Sequence, residues 1–99
     1  MNSKSYVISN TLTTTSDATS ELQLDKYELF TVSVDFGAAS AGVVELQRYL
    51  NGTWWPWKSY SKATSAVHAD DDVASEAMSV RLKVTTNLVG GTAVGRLGR

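Results

Sequence analysis

Alternation of apolar and polar side chains, with a period of two residues, dominates this sequence. It is clearest in YELFTVSVDF, at residues 27–36, and in AMSVRLKVTT, at residues 77–86. Successive side chains of a strand point to opposite faces, so these stretches predict strands with one buried and one solvated face. No stretch has a convincing helical period of 3.6. The predicted inward-facing residues are Phe30, Val32, Val34 and Phe36 in the first strand and Met78, Val80, Leu82 and Val84 in the second.

Weaker versions of the same pattern occur in SYVISNTL, SELQLD and GTAVGRLG, and each predicts a further strand. Polar or small-residue stretches such as TTTSDATS, GAASAG and VGG separate the strands and are typical of loops and turns. About seven or eight strands at a spacing of roughly ten residues favour an all-β fold. We therefore expect a single antiparallel β-sandwich or small jelly roll.

Length and composition narrow the class of protein. A chain of 99 residues suits one domain, 1–99, in which residues 1–5 form a polar N-terminal arm that orders on contact with a neighbour. A net charge of −1 provides no long-range field to attract nucleic acid. The N-terminus lacks the apolar run of a signal peptide, and no stretch is long and apolar enough to span a membrane. We expect synthesis in a cytoplasm and neither a nucleic-acid nor a membrane partner.

The stretch NGTWWPWKSY, at residues 51–60, holds all three tryptophans and the only proline. Asn-Gly between strand-like segments favours a two-residue type I′ turn, centred here on Asn51 and Gly52. Counting outward from Leu50 opposite Thr53 then predicts the register of the hairpin. The predicted cross-strand pairs are Tyr49 with Trp54, Arg48 with Trp55, Gln47 with Pro56, Leu46 with Trp57 and Glu45 with Lys58.

Adjacent tryptophans of a strand cannot all face the interior, because alternate side chains point to opposite faces. In the predicted register, Trp57 lies in the core with Leu46 and Val44. Arg48 and Trp55 share that face nearer the turn, where we expect a cation–π pair at the rim of the sandwich. At least one indole is therefore predicted to face solvent.

The other face of the hairpin is predicted to expose Tyr49 beside Trp54. Pro56 lacks a ladder hydrogen bond, so its strand is predicted to lie at a sheet edge or to be bulged. Exposed aromatic rings beside an unpaired edge are typical of a contact surface. The candidate partner-binding residues are Arg48, Tyr49, Trp54, Trp55 and Pro56.

Three interpretations of these aromatic residues stay open. Tyrosine and tryptophan pair readily across hairpins and can serve stability alone. The same rings suit contact with another protein. Flat rings on a β-sandwich also stack on pyranose rings in many carbohydrate-binding modules, which makes a sugar the third candidate ligand.

Catalytic chemistry has little support in the sequence. His68 is the only histidine, and there is no cysteine. A nucleophile, a base and an orienting group cannot be assembled around this one imidazole. We expect a protein that is not an enzyme and that needs no cofactor.

Consecutive acidic residues occur in HADDDVASEAM, at residues 68–78, which we interpret as a loop with at most a turn or two of helix. Its carboxylates are Asp70, Asp71, Asp72 and Glu76. Such oxygens are ligands for calcium, but the stretch lacks the alternating spacing of an EF-hand, so a solvated acidic loop is favoured over a metal site. This loop would suit a basic surface on a neighbouring copy, such as Arg81 and Lys83.

Two long segments carry a resemblance to a known class: GVVELQRYLNGTWWPWKSY, at residues 42–60, and SVRLKVTTNLVGGTAVGRLG, at residues 79–98. Their order of strands and turns resembles that of the small all-β virion proteins of tailed bacteriophages, in particular capsid decoration (cement) proteins and related head or tail accessory β-sandwiches. The resemblance implies a structural role in the virion and a homo-oligomer, with a trimer favoured. It also implies that the partner is the major capsid protein or another virion protein. The rival hypothesis is a carbohydrate-binding or adhesion module of a tail or head fibre.

Overall fold

The computed structural model of the protein describes residues 6–99, so the predicted arm at residues 1–5 lies outside the described residues. The described chain is all-β, as predicted. Its strands are β1 (Tyr6–Leu12), β2 (Leu22–Leu24), β3 (Leu29–Asp35), β4 (Ala41–Leu50), β5 (Thr53–Ser61), β6 (Val67–Val73), β7 (Met78–Val89) and β8 (Ala93–Gly98).

The strands form two four-stranded antiparallel sheets that pack into a small β-sandwich, which confirms the predicted fold class. One sheet has the order β1-β8-β3-β6, and the other has the order β2-β7-β4-β5. Consecutive strands β5 and β6 lie at the edges of different sheets. The chain therefore crosses from one sheet to the other directly after the tryptophan-rich strand.

A single hydrophobic core fills the space between the sheets. All the inward-facing residues predicted for β3 and β7 are buried. Alternating side chains explain this, because each strand buries one face against the opposite sheet. The largest fully buried side chains are Phe30, Phe36, Leu12, Leu24, Leu46, Leu82, Leu97, Val32, Val34, Val44, Val80 and Val84.

Strand β4 starts with a distortion at Gly42. The backbone φ of Gly42 is +146°, a conformation that side-chain-bearing residues rarely adopt. The register between β4 and β7 also shifts between Ala41 and Val43. A Cβ atom on Gly42 would lie 2.5 Å from Cδ1 of Leu88. The backbone angle therefore favours glycine, and the Leu88 backbone, whose Cα would lie 3.2 Å from that Cβ, leaves little room for a side chain.

The predicted acidic loop is wrong, because its first half is strand β6. This strand pairs antiparallel with β3, and His68, Asp70 and Asp72 are half-buried at alternate positions along it. An acidic run usually indicates a solvated loop, but here Lys58 of β5 supplies a counter-charge to the two inward aspartates. The counter-charge comes from a strand of the other sheet, so local sequence does not indicate it.

Candidate functional site

The turn of the β4–β5 hairpin has the predicted geometry. The φ angles of Asn51 and Gly52 are 54° and 78°, and two positive angles in succession are what a type I′ turn requires. The first four cross-strand pairs match the predicted register: Leu50 with Thr53, Tyr49 with Trp54, Arg48 with Trp55 and Gln47 with Pro56.

Beyond Pro56 the register shifts by one residue. Leu46 lies opposite Lys58, so the predicted pairs Leu46 with Trp57 and Glu45 with Lys58 are wrong. The cause is a β-bulge, which inserts one extra residue into β5. The bulge is accommodated because β5 lies at the sheet edge, where among the described strands it pairs with β4 alone. The prediction from Pro56 of an edge or a bulge is confirmed on both counts.

Trp57 is the tryptophan that faces the core, as predicted. Its ring centroid lies 5.4 Å from that of Phe30 in the opposite sheet, and the side chain is partly buried against the core. Because of the bulge, Lys58 also reaches the opposite sheet, where it contacts β6. Two consecutive side chains of β5 therefore contact the other sheet.

Arg48 stacks on Trp57, and the predicted stacking on Trp55 is wrong. The Cζ atom of Arg48 lies 4.9 Å from the centroid of the Trp57 ring. The bulge explains why Arg48 stacks on Trp57 and not on Trp55. It leaves Trp57 without a directly opposing residue on β4 and places the Trp57 ring under the arginine. The guanidinium is thus held above an indole that is itself packed on Phe30.

The guanidinium of Arg48 has no hydrogen-bond or ion-pair partner among residues 6–99. Its Nε is enclosed without an acceptor, whereas the terminal amino groups are not enclosed and reach solvent. Leaving a buried donor without an acceptor costs about 1–3 kcal/mol. This unsatisfied cation is the most unusual polar feature of the hairpin.

Trp55 occupies the rim of the sandwich, as predicted. Half of its surface is exposed, and its Nε1 donates a hydrogen bond of 3.1 Å to the backbone oxygen of Leu50. This bond holds the indole beside the turn rather than leaving it free to rotate. Trp55 is consequently an exposed aromatic ring of defined orientation. It pairs directly with Arg48 on the neighbouring strand β4.

The outer face of the hairpin carries Tyr49 and Trp54, with ring centroids 5.1 Å apart in an edge-to-face arrangement. Tyr49 is exposed, but Trp54 is only half-exposed because the guanidinium of Arg81 lies 4.1 Å from the centre of its ring. The prediction of an exposed pair therefore holds for Tyr49 and is only partly correct for Trp54. Arg81 is a member of the site that sequence reasoning missed.

Arg81 belongs to a chain of side-chain hydrogen bonds on this outer face. Its Nε donates to Oε1 of Gln47 at 2.8 Å, and Nε2 of Gln47 donates to Oε1 of Glu45 at 2.9 Å. Desolvation by burial lowers the pKa of Arg81, an effect that the charge of Glu21 opposes. Arg81 thus serves chiefly to cover and hold Trp54. The sequence does predict that Arg81 faces outward from β7. Its place beside Gln47 and Trp54, however, depends on the register between β7 and β4, which the sequence does not predict.

Lys58, Asp70 and Asp72 connect the edges of the two sheets. The Nζ of Lys58 lies 2.8 Å from Oδ2 of Asp70 and 3.1 Å from Oδ2 of Asp72. The hydrogen bond from Lys58 holds the pKa of Asp70 below its ordinary value, and the bonds to both aspartates raise the pKa of Lys58. This ion-pair cluster closes the side of the sandwich between β5 and β6.

Tyr60 and His68 complete the packing beside the cluster. The Tyr60 hydroxyl donates to Oδ2 of Asp70 at 3.3 Å, and burial raises the pKa of Tyr60. Nε2 of His68 lies 2.9 Å from the backbone oxygen of Ser61, and its ring contacts those of Tyr60 and Phe36. These contacts give the histidine a structural role between the sheets.

The acidic residues considered as calcium ligands are not gathered into one site. Asp70 and Asp72 face Lys58, whereas Asp71 and Glu76 are exposed. Within residues 6–99, no three histidine or carboxylate side chains are close enough together to hold a metal ion. The part of the chain that the structure describes also has no helix long and apolar enough to cross a membrane.

Comparison with known proteins adds no family to this description. No protein-family model matches the chain, and no curated protein or solved structure gives a significant match to it.

Proposed function

We propose that this chain is a structural protein of a tailed bacteriophage virion, a capsid decoration (cement) protein that binds the shell and reinforces it. The observation that carries the proposal is the β4–β5 hairpin, where the rings of Trp55 and Tyr49 are exposed at and beside the edge strand β5. The strand order from residue 42 to residue 98, which resembles that of such proteins, supports the same class.

The geometry of the hairpin supports a protein partner. Aromatic residues and arginine dominate the energetics of protein interfaces because they bury a large area with little loss of conformational freedom. Trp55 is held by its bond to Leu50, and Trp54 is held beneath Arg81, so binding would cost little ordering of these side chains. Pro56 and the bulge beside it also protect the edge from open-ended strand pairing, which favours a side-chain contact over strand addition.

In this proposal the protein is made in the cytoplasm of the bacterial host and ends in the virion. It assembles as a homo-oligomer, with a trimer favoured, and contacts the major capsid protein or another virion protein. Binding that is specific for the mature shell would stabilise that shell by mass action. The role is mechanical rather than enzymatic, and the structural contacts of His68 support this interpretation.

A sugar-binding role, as an adhesion module of a tail or head fibre, is the second candidate because of one observation. Trp55 is half-exposed and oriented by its Nε1 hydrogen bond, as an indole that stacks on a pyranose ring should be. Trp54 is less suitable, because Arg81 already covers one face of its ring. A glycan that quenches the fluorescence of the wild-type protein but not that of Trp55→Ala would favour this candidate.

The proposal is tested by binding to shells of the parent phage that were prepared without this protein. The double variant Tyr49→Ala/Trp55→Ala is compared in co-sedimentation with Tyr27→Ala, which removes a 70 % exposed ring outside the hairpin. We expect the double variant to bind at least about tenfold more weakly and Tyr27→Ala to bind as wild type does. Equal binding by the double variant and the wild type would refute the proposed contact surface.

A further inference from the structure

The arginine on the inner face of the hairpin has no counter-charge among residues 6–99, although it is held in place. Trp57 lies beneath the guanidinium of Arg48, and Trp55 lies directly across the strand pair from it. We infer that Arg48 is the receptor for one carboxylate, carried by an acidic segment of the partner protein. This inference rests on the proposed function, because it names the partner chemistry of the same surface.

The site is arranged before any ligand arrives. Trp57 is fixed against Phe30, with ring centroids 5.4 Å apart, and Trp55 is fixed by its hydrogen bond to Leu50. The terminal amino groups of Arg48 reach solvent and have no acceptor among the described residues. A planar guanidinium with two free amino groups matches a carboxylate in bidentate geometry. The exposed indole of Trp55 would shield that contact from water.

The number of available cations indicates a single carboxylate. Lys58 is already paired with Asp70 and Asp72. Arg81 lies on the opposite face of the hairpin and stacks on Trp54. Of the basic residues around the tryptophans, Arg48 alone is both oriented and without a partner in the described chain.

This count also disfavours a polyanion as the ligand. Nucleic acid is bound by several cations that together neutralise several phosphates, and a net charge of −1 provides no field to attract it. One guanidinium on the ring of Trp57, with the exposed indole of Trp55 on the paired strand, instead suits a glutamate or aspartate flanked by apolar residues. Such a segment occurs readily in a protein loop.

The inference is tested by NMR titration of the ¹⁵N-labelled protein with a capped five-residue peptide, Gly-Leu-Glu-Leu-Gly. The control is the same peptide with glutamine in place of glutamate. We expect the glutamate peptide to shift the indole N–H of Trp55 and the Nε–H of Arg48 in a saturable manner, at least about tenfold more tightly than the glutamine peptide. The preference should vanish in Arg48→Met and weaken in Arg48→Lys, which keeps the charge but loses the planar fork. Unchanged backbone spectra identify variants that remain folded.

Arg96→Met is the matched control, because it removes the same charge from β8 of the other sheet. It should keep the full preference for glutamate. The inference is overturned if the two peptides bind alike, if the preference survives in Arg48→Met, or if Arg96→Met loses it equally. A thymidine oligonucleotide that binds more tightly than the glutamate peptide, through Arg48, would also overturn it in favour of nucleic acid.

Binding to phage shells separates this inference from the function on which it rests. If Arg48→Met binds shells as wild type does while Tyr49→Ala/Trp55→Ala does not, the contact surface stands and the carboxylate receptor is wrong. If both variants bind shells normally, the contact surface is wrong as well, and if the wild-type protein does not bind shells, the proposed function itself fails.

Discussion

The guanidinium of Arg48 lies 4.9 Å from the ring centre of Trp57, although the residue directly across the hairpin from Arg48 is Trp55. The bulge after Pro56 creates this arrangement by adding one residue to the edge strand. As a result, Trp57 is enclosed between an arginine and Phe30, and Trp55 is left at the rim. The indoles of Trp55 and Trp57 therefore have different physical roles.

The two roles predict unequal losses of stability. Trp57→Ala removes a ring that packs on Phe30 and supports Arg48, so the free energy of unfolding should fall by about 3 kcal/mol, at the lower end for large-to-small core changes because Trp57 is only partly buried. Trp55→Ala should cost less than about 1 kcal/mol, since it removes one exposed ring and one hydrogen bond. Urea denaturation measures both values. Equal losses would contradict the assignment of the core tryptophan.

Gly42 should tolerate no side chain. Gly42→Ala places a Cβ in contact with Leu88 and forces alanine into a φ of +146°, so we expect a loss of at least about 2 kcal/mol. Gly52→Ala is the control, because its positive φ is unfavourable but a Cβ there meets no other atom within 4 Å. It should cost only about 1 kcal/mol. A Gly42→Ala protein as stable as the wild type would show that the start of β4 is not constrained as described.

The ion-pair cluster predicts a stability difference that depends on pH. Lys58 holds the pKa of Asp70 below its ordinary value, so the pair stabilises the fold above about pH 4, and this contribution is lost as the pH falls through the folded-state pKa. Both side chains are about one-third exposed, so solvent screening limits the contribution to about 0.5–1 kcal/mol at neutral pH.

Asp70→Asn tests this contribution by chemical denaturation across a pH series. The variant should be less stable than the wild type at pH 7, and the difference should shrink toward zero as the pH falls through the lowered pKa of Asp70 and the wild-type carboxylate becomes protonated. At the alkaline end, the raised pKa of Lys58 should keep the difference intact up to at least about pH 10. A difference independent of pH would argue against an ionic role for Asp70.

The sandwich and its inward faces were predictable because each depends on local alternation. In β3 and in the first seven residues of β7, at 78–84, every second residue is apolar, and a shift by one residue would expose the whole apolar face. The turn at Asn51 and Gly52 was predictable for a similar reason, since few residues adopt two positive φ angles in succession.

The errors arose where a contact between distant strands decides the local structure. Pro56 indicated a bulge or an edge, but a fixed count of residues across the hairpin cannot locate the extra residue, so the partner of Lys58 was wrong. The same lysine explains why β6 was mistaken for a loop, because it neutralises Asp70 and Asp72 from the other sheet. The stacking of Arg81 on Trp54 likewise depends on the register between β4 and β7.

The central claim is that the exposed ring of Trp55, together with Tyr49, is covered by another molecule in the assembled state. Hydroxyl-radical footprinting of the free protein and of virions tests it most directly, with the exposed Tyr27 as an internal reference. We predict that Trp55 and Tyr49 are oxidised readily in the free protein and several-fold more slowly in virions, while Trp57 reacts slowly in both. Equal oxidation of Trp55 in the two states, relative to Tyr27, would contradict the claim.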